Sequence, residues 1–162
     1  MVLENLKIRA LDPGDLDAIV EIDKKVLGQN RPEYWKRKIQ LSDIYPTPSL
    51  VAEVDNKVVG FVLSNVSGWE FGIPDSVGWI DTIGVDPEYQ NRGVGRALME
   101  ALIKNLKTTG RETTPEEEQS DITGVKTVYT LVKWNDWELL QFFHAMGFKR
   151  GEMINLELKI SE

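Results

Sequence analysis

The chain contains no cysteine and only one histidine, His144. Without cysteine there are no disulfide bonds, no thiol nucleophiles and no thiolate ligands for a metal. One histidine is too few for a histidine metal cluster or a Ser-His-Asp triad within a single chain. The sequence therefore predicts no metal site and excludes these routes to nucleophilic catalysis.

Basic residues and long apolar runs are also scarce. The chain has 19 Lys and Arg residues against 26 Asp and Glu, which gives a formal net charge of −7. Nucleic acids and anionic membranes bind basic surfaces, so neither is expected as the main partner. No apolar run approaches the length of a membrane span, and the N-terminal residues lack the apolar core of a signal peptide. We therefore expect a cytoplasmic protein, with a charge that is compatible with a cationic substrate.

What is present is ordinary for a soluble globular protein: 162 residues, of which 41% are hydrophobic and 28% are charged. That length suits one domain that buries a substantial core. No internal repeat is visible in the chain. We predict a single domain over residues 1–162.

Apolar periodicity and turn residues predict alternating strands and helices. The predicted strands are Leu6–Ala10, Ser49–Val54, Val58–Val66, Gly78–Val85, Val125–Lys133 and Phe148–Ile160. Helices are predicted after Asp12, near Pro32, from Val94 and after Asn135-Asp136, with Gly28 as the stop of the first. Asp55-Asn56 is expected to form a hairpin turn. The polar stretch Thr108–Gly124 is expected to be a long solvated loop, which gives the order β-α-α-β-β-β-α-β-α-β.

The central strand and the following helix are joined by Gln90–Gly95, Gln-Asn-Arg-Gly-Val-Gly, which has two glycines and no acid. Glycines let a backbone approach a ligand closely, and the first N–H groups of a helix have no intrahelical partner. With the positive end of the helix dipole and the nearby Arg92 and Arg96, these groups favour an anion, most naturally a phosphate. The other interpretation is a simple capped helix whose glycines serve only the turn.

Two well-known phosphate-binding motifs can be excluded for this turn. A P-loop requires Gly-x-x-x-x-Gly-Lys-Ser/Thr, which the chain lacks. A dinucleotide-binding fingerprint requires a third glycine, but Leu98 occupies that position after Gly93 and Gly95. A nucleoside triphosphate or a dinucleotide is therefore not the expected ligand.

The turn does match Gln/Arg-x-x-Gly-x-Gly/Ala, at Gln90, Gly93 and Gly95, after a strand that ends in Val-Asp-Pro. This pattern closely resembles the acetyl-CoA-binding motif of the GNAT superfamily of N-acetyltransferases. A second fingerprint of that family, a strand followed by Asn and a short helix ending in Gly-Phe, is matched from Asn135 onward. The resemblance covers nearly the whole chain. It implies an α/β (α+β) fold with a mixed, mostly antiparallel central sheet flanked by helices.

The activity that the resemblance implies is transfer of an acetyl group from acetyl-CoA to a primary amine of a small molecule or a peptide, by direct attack in a ternary complex. The turn would bind the pyrophosphate, and the strand end would pair with the pantetheine arm and polarise the thioester carbonyl. The implied cofactor-binding residues are Ile83, Gly84, Val85, Gln90, Asn91, Arg92, Gly93, Val94, Gly95, Arg96 and Asn135. For Asn135, a helix N-cap is an equally good interpretation.

The catalytic residues are harder to identify. An attacking amine must lose a proton, so some group or water chain must accept it. Asp81 lies in the central strand and is a candidate base, although a structural role across the sheet is the stronger interpretation. Its parity is that of Trp79, Ile83 and Val85. Many family members place a tyrosine as general acid where this chain has Phe143. Either water replaces that acid, or another hydroxyl such as Tyr129 does, or catalysis is weak.

Two functions therefore stay open. The first is an N-acetyltransferase, and the second is a catalytically weak or inactive acetyl-CoA-binding protein with a sensing or interaction role, which Phe143 and the lack of a clear base favour. The sequence does not identify the acceptor, although Glu33, Glu70 and Asp75 in the loops suit a cationic one. A homodimer is compatible with the sequence.

Overall fold

The computed structural model describes residues 3–44, 48–68, 76–108 and 125–161. Residues 109–124 of the predicted solvated loop lie outside the described residues, as do Glu70 and Asp75, whereas Thr108 ends a helix. The chain divides into two compact units, Met1–Leu131 and Val132–Glu162, which are described separately below. The expectation of a single domain over the whole chain stays a prediction.

The described residues form the helices and strands in the predicted order up to the last helix. The strands are β1 (Leu6–Ala10), β2 (Leu50–Val54), β3 (Lys57–Gly68), β4 (Ser76–Val85) and β5 (Thr127–Thr130). The helices are α1 (Leu16–Leu27), α2 (Pro32–Ile44), α3 (Val94–Thr108) and α4 (Trp137–Ala145). Single turns of 3₁₀-helix at Pro13–Asp15 and Pro87–Tyr89 precede α1 and α3.

The first unit is built on one five-stranded sheet with the strand order β1-β2-β3-β4-β5. Neighbours from β1 to β4 are antiparallel, whereas β5 lies parallel to β4. Asp55 and Asn56 have φ angles of 49° and 63°, the positive values that a tight hairpin turn between β2 and β3 requires. The prediction of a mixed, mostly antiparallel sheet is confirmed.

Helices cover both faces of this sheet. On one face, Ile19 and Ile22 of α1 and Trp35 of α2 are buried against Phe61 and Leu63 of β3. On the other face, a Cβ atom added at Gly60 of β3 would lie 3.1 Å from Val94 of α3. The prediction that helices flank the sheet is confirmed.

Local signals mark the 3₁₀ turn that leads into α1 and the end of α1, both where the sequence predicts a helix start and stop. Asp12 accepts a hydrogen bond from the amide of Gly14 at 2.9 Å, and its own amide donates to Asp15 at 2.8 Å. This reciprocal capping satisfies amides that the helix start leaves free. Gly28 ends α1 with a φ of 69° and donates its amide to the carbonyl of Lys24 at 2.8 Å.

The predicted final strand, Phe148–Ile160, is wrong, because residues 148–161 form no strand. Ile154, Leu156, Leu158 and Ile160 alternate with polar residues, yet they are 71%, 84%, 85% and 91% exposed. An alternation of apolar and polar residues shows that an extended segment would have one apolar face. A strand forms only where a neighbouring strand completes its backbone hydrogen bonds. The predicted strand Val125–Lys133 is likewise shorter, since only residues 127–130 pair.

Among the residues that the structure describes, none of the helices combines the length and apolarity that a membrane span requires.

Candidate functional site

The site starts at the end of β4, where Asp86 fixes the chain before α3. Its side chain is 3% exposed and accepts a hydrogen bond from Lys25 Nζ of α1 at 2.7 Å. It also accepts from the amide of Glu88 at 3.1 Å, and the Asp86 amide donates to the carbonyl of Val59 at 2.8 Å. Burial alone would raise the pKa of Asp86, but the bonds from Lys25 and the Glu88 amide hold it below its usual value. Asp86 therefore ties the turn to α1 and β3.

Gln90 is the first residue of the predicted binding motif. Its Nε2 atom donates to the carbonyl of Val85 at 3.1 Å, which joins the turn to the last residue of β4. The amide of Tyr89 donates to the carbonyl of Asp86 at 2.8 Å. The turn is thus closed by its own hydrogen bonds before any ligand is considered.

The residues that follow Gln90 form an open turn at the N-terminus of α3. Asn91 and Gly93 have φ angles of 60° and 83°, and nothing lies within 4 Å of the place where a Gly93 Cβ would stand. The amide of Ala97 donates to the carbonyl of Gly93 at 3.0 Å, so the amides of Val94 and Gly95 precede the first turn of intrahelical bonds. The first turn of α3 contains no acidic residue. These features fit a bound phosphate group.

Two arginines supply positive charge near this turn. The guanidinium of Arg92 lies 5.9 Å from the ring centre of Tyr89. Arg96 contacts Glu100 one turn along α3 at 3.5 Å, and both side chains are more than half exposed. An exposed pair of this kind contributes little to stability, so Arg96 can turn toward an anion at small cost.

The end of β4 has an open edge beside this turn. β5 pairs with residues 77–80 of β4 only, which leaves Ile83, Gly84 and Val85 without a strand on that side among the described residues. On the other side, the same residues pair with β3. A free backbone edge can accept an extended ligand as an additional strand. The predicted pantetheine-binding segment therefore has the open backbone that such pairing requires.

Asp81 lies at a β-bulge. Leu63 pairs with Thr82 and Ser64 pairs with Ile80, so Asp81 is the extra residue of β4. The bulge reverses the faces of the strand, because an added Cβ would meet α3 at Gly78 but Phe61 and α1 at Gly84.

The parity that the sequence assigned to Asp81 together with Ile83 and Val85 is therefore wrong, because these two residues follow the bulge. Its carboxylate is exposed and contacts Lys38 Nζ at 3.3 Å and Asn65 Nδ2 at 3.1 Å. The bond to Asn65 crosses the sheet, which agrees with the structural interpretation. The role of Asp81 as a base stays a prediction, and it requires Lys38 to release one carboxylate oxygen of Asp81.

Tyr129 lies on β5 directly opposite Trp79 of β4. Their ring centres are 5.1 Å apart, and both side chains are partly exposed. Thr130, the next residue, donates its hydroxyl to the carbonyl of Ile80 at 3.2 Å, which holds β5 beside the bulge. Tyr129 therefore lies close in the sheet to Asp81, and its role as an acid stays a prediction.

A small cleft, called here the α1 cleft, opens beside Gly84 on the α1 face of the sheet. Its walls are Ile22, Asp23, Val26 and Leu27 of α1, Phe61 of β3 and residues 82–84 of β4. Sequence reasoning missed Asp23 in this cleft. The available signal was an acid one turn after Ile19, on the inward face of an otherwise apolar helix stripe.

Asp23 is 5% exposed and is held by Arg31, which precedes α2. Arg31 donates Nε to Oδ2 at 3.0 Å and Nη2 to Oδ1 at 2.8 Å, so both carboxylate oxygens are occupied. Burial alone would raise the pKa of Asp23, but the Arg31 bonds, with a smaller effect of the nearby Trp35 indole, hold it below its usual value. The guanidinium also lies 4.6 Å from the ring centre of Tyr34. This pair fixes the connection between α1 and α2.

In the second unit, Asp136 caps α4 by accepting the amide of Leu139 at 3.1 Å. The interpretation of Asn135 as the N-cap is therefore wrong, and its exposed side chain makes no such bond. Its contact with the cofactor stays a prediction. Phe143 is 4% exposed, with its ring centre 5.3 Å from Phe142 and 5.0 Å from Phe148.

Within the described ranges, no three His, Cys, Asp or Glu side chains are grouped to hold a metal ion.

Comparison with known proteins identifies the class to which this fold and site belong. Residues 16–117 match the Acetyltransferase (GNAT) family. The chain is 26% identical to an N-alpha-acetyltransferase of Sulfurisphaera tokodaii over 91% of this chain and 83% of that protein. It is 30% identical to an uncharacterised N-acetyltransferase of Methanocaldococcus jannaschii over 91% of this chain and 80% of that protein.

The fold agrees with this match. The structure of an aminoglycoside N-acetyltransferase in complex with CoA has a TM-score of 0.73 at 15% identity, and the comparison covers 96% of this chain and 95% of that one. The chain belongs to the GNAT family of acetyltransferases. It is an acetyltransferase enzyme, and the family to which it belongs uses acetyl-CoA as the acetyl donor.

Proposed function

We propose that this protein transfers the acetyl group of acetyl-CoA to the α-amino group of a peptide or protein by direct attack in a ternary complex. The observation that carries the proposal is the junction of β4 and α3, where an open strand edge meets a helix N-terminus that has no acidic residue in its first turn. The strand edge would take the extended pantetheine arm of acetyl-CoA, and the helix N-terminus would take the pyrophosphate of the same molecule. The end of β4 and the start of α3 lie within ten residues of each other in the chain.

Acetyl-CoA would be held almost entirely by backbone groups. The amides from Asn91 to Arg96 would bind the pyrophosphate, with Arg92 and Arg96 adding charge. Residues Ile83–Val85 would pair with the pantetheine arm, and one of their amides would polarise the thioester carbonyl. Bound acetyl-CoA supplies the activated acetyl group. The chain supplies orientation, and the bonds of Asp86 and Gln90 hold the turn in shape beforehand.

The acceptor must lose a proton before it attacks. A lysine-type amine has a pKa of about 10.4, whereas an α-amino group has a pKa of about 7.7–8.0. An α-amine is therefore neutral in a much larger fraction near pH 7, and it needs a weaker base. Because Asp81 already bonds to Lys38 and Asn65, an α-amine acceptor suits this site better than a side-chain amine does.

The similar protein of Sulfurisphaera tokodaii is an N-alpha-acetyltransferase, which also supports an α-amine acceptor. Tyr129 is the hydroxyl on β5 that would return a proton to the leaving thiolate, unless water does so. The cytoplasmic location and the homodimer stay predictions.

The test is CoA release by the purified full chain with a matched panel of amines. One peptide is offered with a free N-terminus and no lysine, and a second with a blocked N-terminus and one lysine. A polyamine and an aminoglycoside complete the panel. We expect CoA release and an acetylated product, identified by mass spectrometry, with the first peptide. Preference for the lysine peptide, the polyamine or the aminoglycoside would contradict the assignment to α-amines, and no release with any amine would contradict the reaction itself.

A further inference from the structure

Two cations lie over the ring of Tyr89, just before the turn of residues 90–96. Lys57 Nζ lies 5.3 Å from the ring centre, and the guanidinium carbon of Arg92 lies 5.9 Å from it. The face of an aromatic ring attracts a cation, so Tyr89 holds both side chains near one place. The ring is partly exposed, and Lys57 and Arg92 are exposed. These three residues are called here the basic cluster.

The basic cluster is positively charged on a chain whose net charge is −7. The carboxylate nearest to it in the turn, Asp86, is already bound by Lys25 Nζ at 2.7 Å. The bond to Asp86, with a smaller effect of Glu88, raises the pKa of Lys25, so that ion pair stays charged. Among the residues that the structure describes, no carboxylate is at ion-pair distance from Lys57 or Arg92. An anion can therefore approach both cations without displacing a carboxylate.

The position of the basic cluster extends the donor site past the turn. The open edge of β4 is on its β5 side, whereas Lys57 begins β3 on the other side of β4. Gly60 pairs with Val85, the last residue of β4, so Lys57 lies beyond the end of β4, next to the turn. The open edge, the turn and the basic cluster thus follow one another around the end of this strand.

The chemical groups of CoA follow one another in a matching order. The pantetheine arm leads to the pyrophosphate, and the pyrophosphate leads to a ribose that carries a 3′-phosphate. That phosphomonoester has a charge of about −1.5 to −2 at pH 7, and it needs cations when it leaves bulk water. With the pyrophosphate at the backbone amides of the turn, the 3′-phosphate is the anionic group that remains without a partner.

We propose that the basic cluster binds the 3′-phosphate of CoA and makes the enzyme select donors that carry this phosphate. The inference rests on the proposed function, because it places the pyrophosphate at the turn. Lys57 and Arg92 donate to the phosphate oxygens. Tyr89 is a positioning residue that keeps the two cations together.

The first test measures the Kd of CoA and of dephospho-CoA, which differ only in the 3′-phosphate, by calorimetry on the full chain. We expect the wild type to bind CoA about tenfold more tightly than dephospho-CoA. Lys57→Met should weaken CoA about fivefold, the upper range of an exposed ion pair, and dephospho-CoA less than twofold. If the wild type binds both equally, the inference fails while the proposed function stands. If neither binds, the proposed function fails and the inference with it.

Lys104→Met is the matched control, because it removes the same charge from another exposed lysine. Lys104 lies ten residues after the start of α3, about 15 Å along the helix axis. That distance exceeds the Debye length of about 8 Å at physiological ionic strength. We expect this variant to keep the wild-type preference for CoA. An equal loss of preference in Lys104→Met and Lys57→Met would reveal a general effect of net charge and contradict the inference.

The role of Tyr89 is tested by two substitutions. Tyr89→Phe keeps the ring and should keep the preference for CoA, whereas Tyr89→Leu should reduce the preference about threefold, with thermal melts to verify folding. Equal preferences in the two variants would contradict the positioning role of the ring. The Lys57→Met comparison tests the phosphate site even if Tyr89→Leu does not fold.

A last measurement observes the phosphate itself. The second pKa of a phosphomonoester is about 6, and nearby cations should lower the pKa of the bound 3′-phosphate, as followed by ³¹P NMR. This pKa should return toward that of free CoA in Lys57→Met. An unchanged pKa in the wild-type complex would overturn the proposal. Inorganic phosphate added to the CoA-saturated protein should not bind at Lys57, and a second bound phosphate signal that depends on Lys57 would instead assign the cluster to a separate phosphate.

Discussion

Gly95→Asp tests directly whether the turn of residues 90–96 binds the pyrophosphate of acetyl-CoA. Gly95 is the second residue of α3 and is partly exposed, so an aspartate there would point its charge into the space where the pyrophosphate is proposed to lie. Two unit charges about 4 Å apart interact by roughly 1 kcal/mol in water and roughly 4 kcal/mol near a protein surface. Because the turn is open to solvent, we take the lower half of this range.

A loss of about 1–2 kcal/mol corresponds to a rise in the Kd for acetyl-CoA of roughly tenfold. The fold should be preserved, since an acid in the first turn of a helix stabilises it by about 0.3–1 kcal/mol and glycine is a poor helix former. The melting temperature is therefore expected to stay the same or to rise slightly. Calorimetry with acetyl-CoA and a thermal melt measure the two quantities.

Gly95→Asn is the control, because it adds nearly the same atoms without the charge. The difference between the two variants should shrink as salt is raised, since the Debye length falls to about 8 Å at physiological ionic strength. If a well-folded Gly95→Asp variant binds acetyl-CoA as tightly as the wild type, the pyrophosphate does not lie at this turn and the assignment of residues 90–96 is wrong.

Two further predictions concern protons. Because the pKa of Asp86 is lowered in the folded state, its contribution to stability is present above the ordinary aspartate pKa of about 3.9 and is lost as the pH falls through its folded value. Asp86→Asn should thus lower the free energy of unfolding at pH 7 by about 1–2 kcal/mol and weaken its fall in acid, and an unchanged denaturation midpoint at pH 7 would contradict the role of the Lys25 bond. If water serves as the acid in place of a tyrosine at Phe143, kcat/KM should rise with pH through neutrality without a falling limb below about pH 9, and Phe143→Tyr should leave activity unchanged or raise it. A falling limb that disappears in Tyr129→Phe would instead identify Tyr129 as the acid.

The local features of the chain were predictable because each depends on residues that are close in sequence. Asp12 caps the 3₁₀ turn that leads into α1, Gly28 ends α1, and Asp55-Asn56 turns the chain between neighbouring strands. The turn at Gly93 belongs to the same class, since its positive φ and the free amides that follow it arise within one short segment. The order of elements through α4 and the shape of the turn at residues 90–95 follow from such signals.

Other features depended on pairing between distant parts of the chain. The bulge at Asp81 exists only in the register between β3 and β4, and it reverses the face that simple alternation assigns beyond it. The shortness of β5 leaves the end of β4 open, which no pattern inside Val125–Lys133 indicated. The alternation of residues 153–160 predicted a strand for which the described residues supply no partner.

The sequence by itself therefore determined the class of the protein and the turn at which its donor is proposed to bind, because a helix N-terminus with glycines before it is a local arrangement. Only the tertiary structure decided what surrounds that turn. Asp23 and Arg31 are eight residues apart in the sequence, and their pairing needs the α1–α2 connection to fold back. The α1 cleft needs α1, β3 and β4 together. Such a surface is made only when separate elements pack.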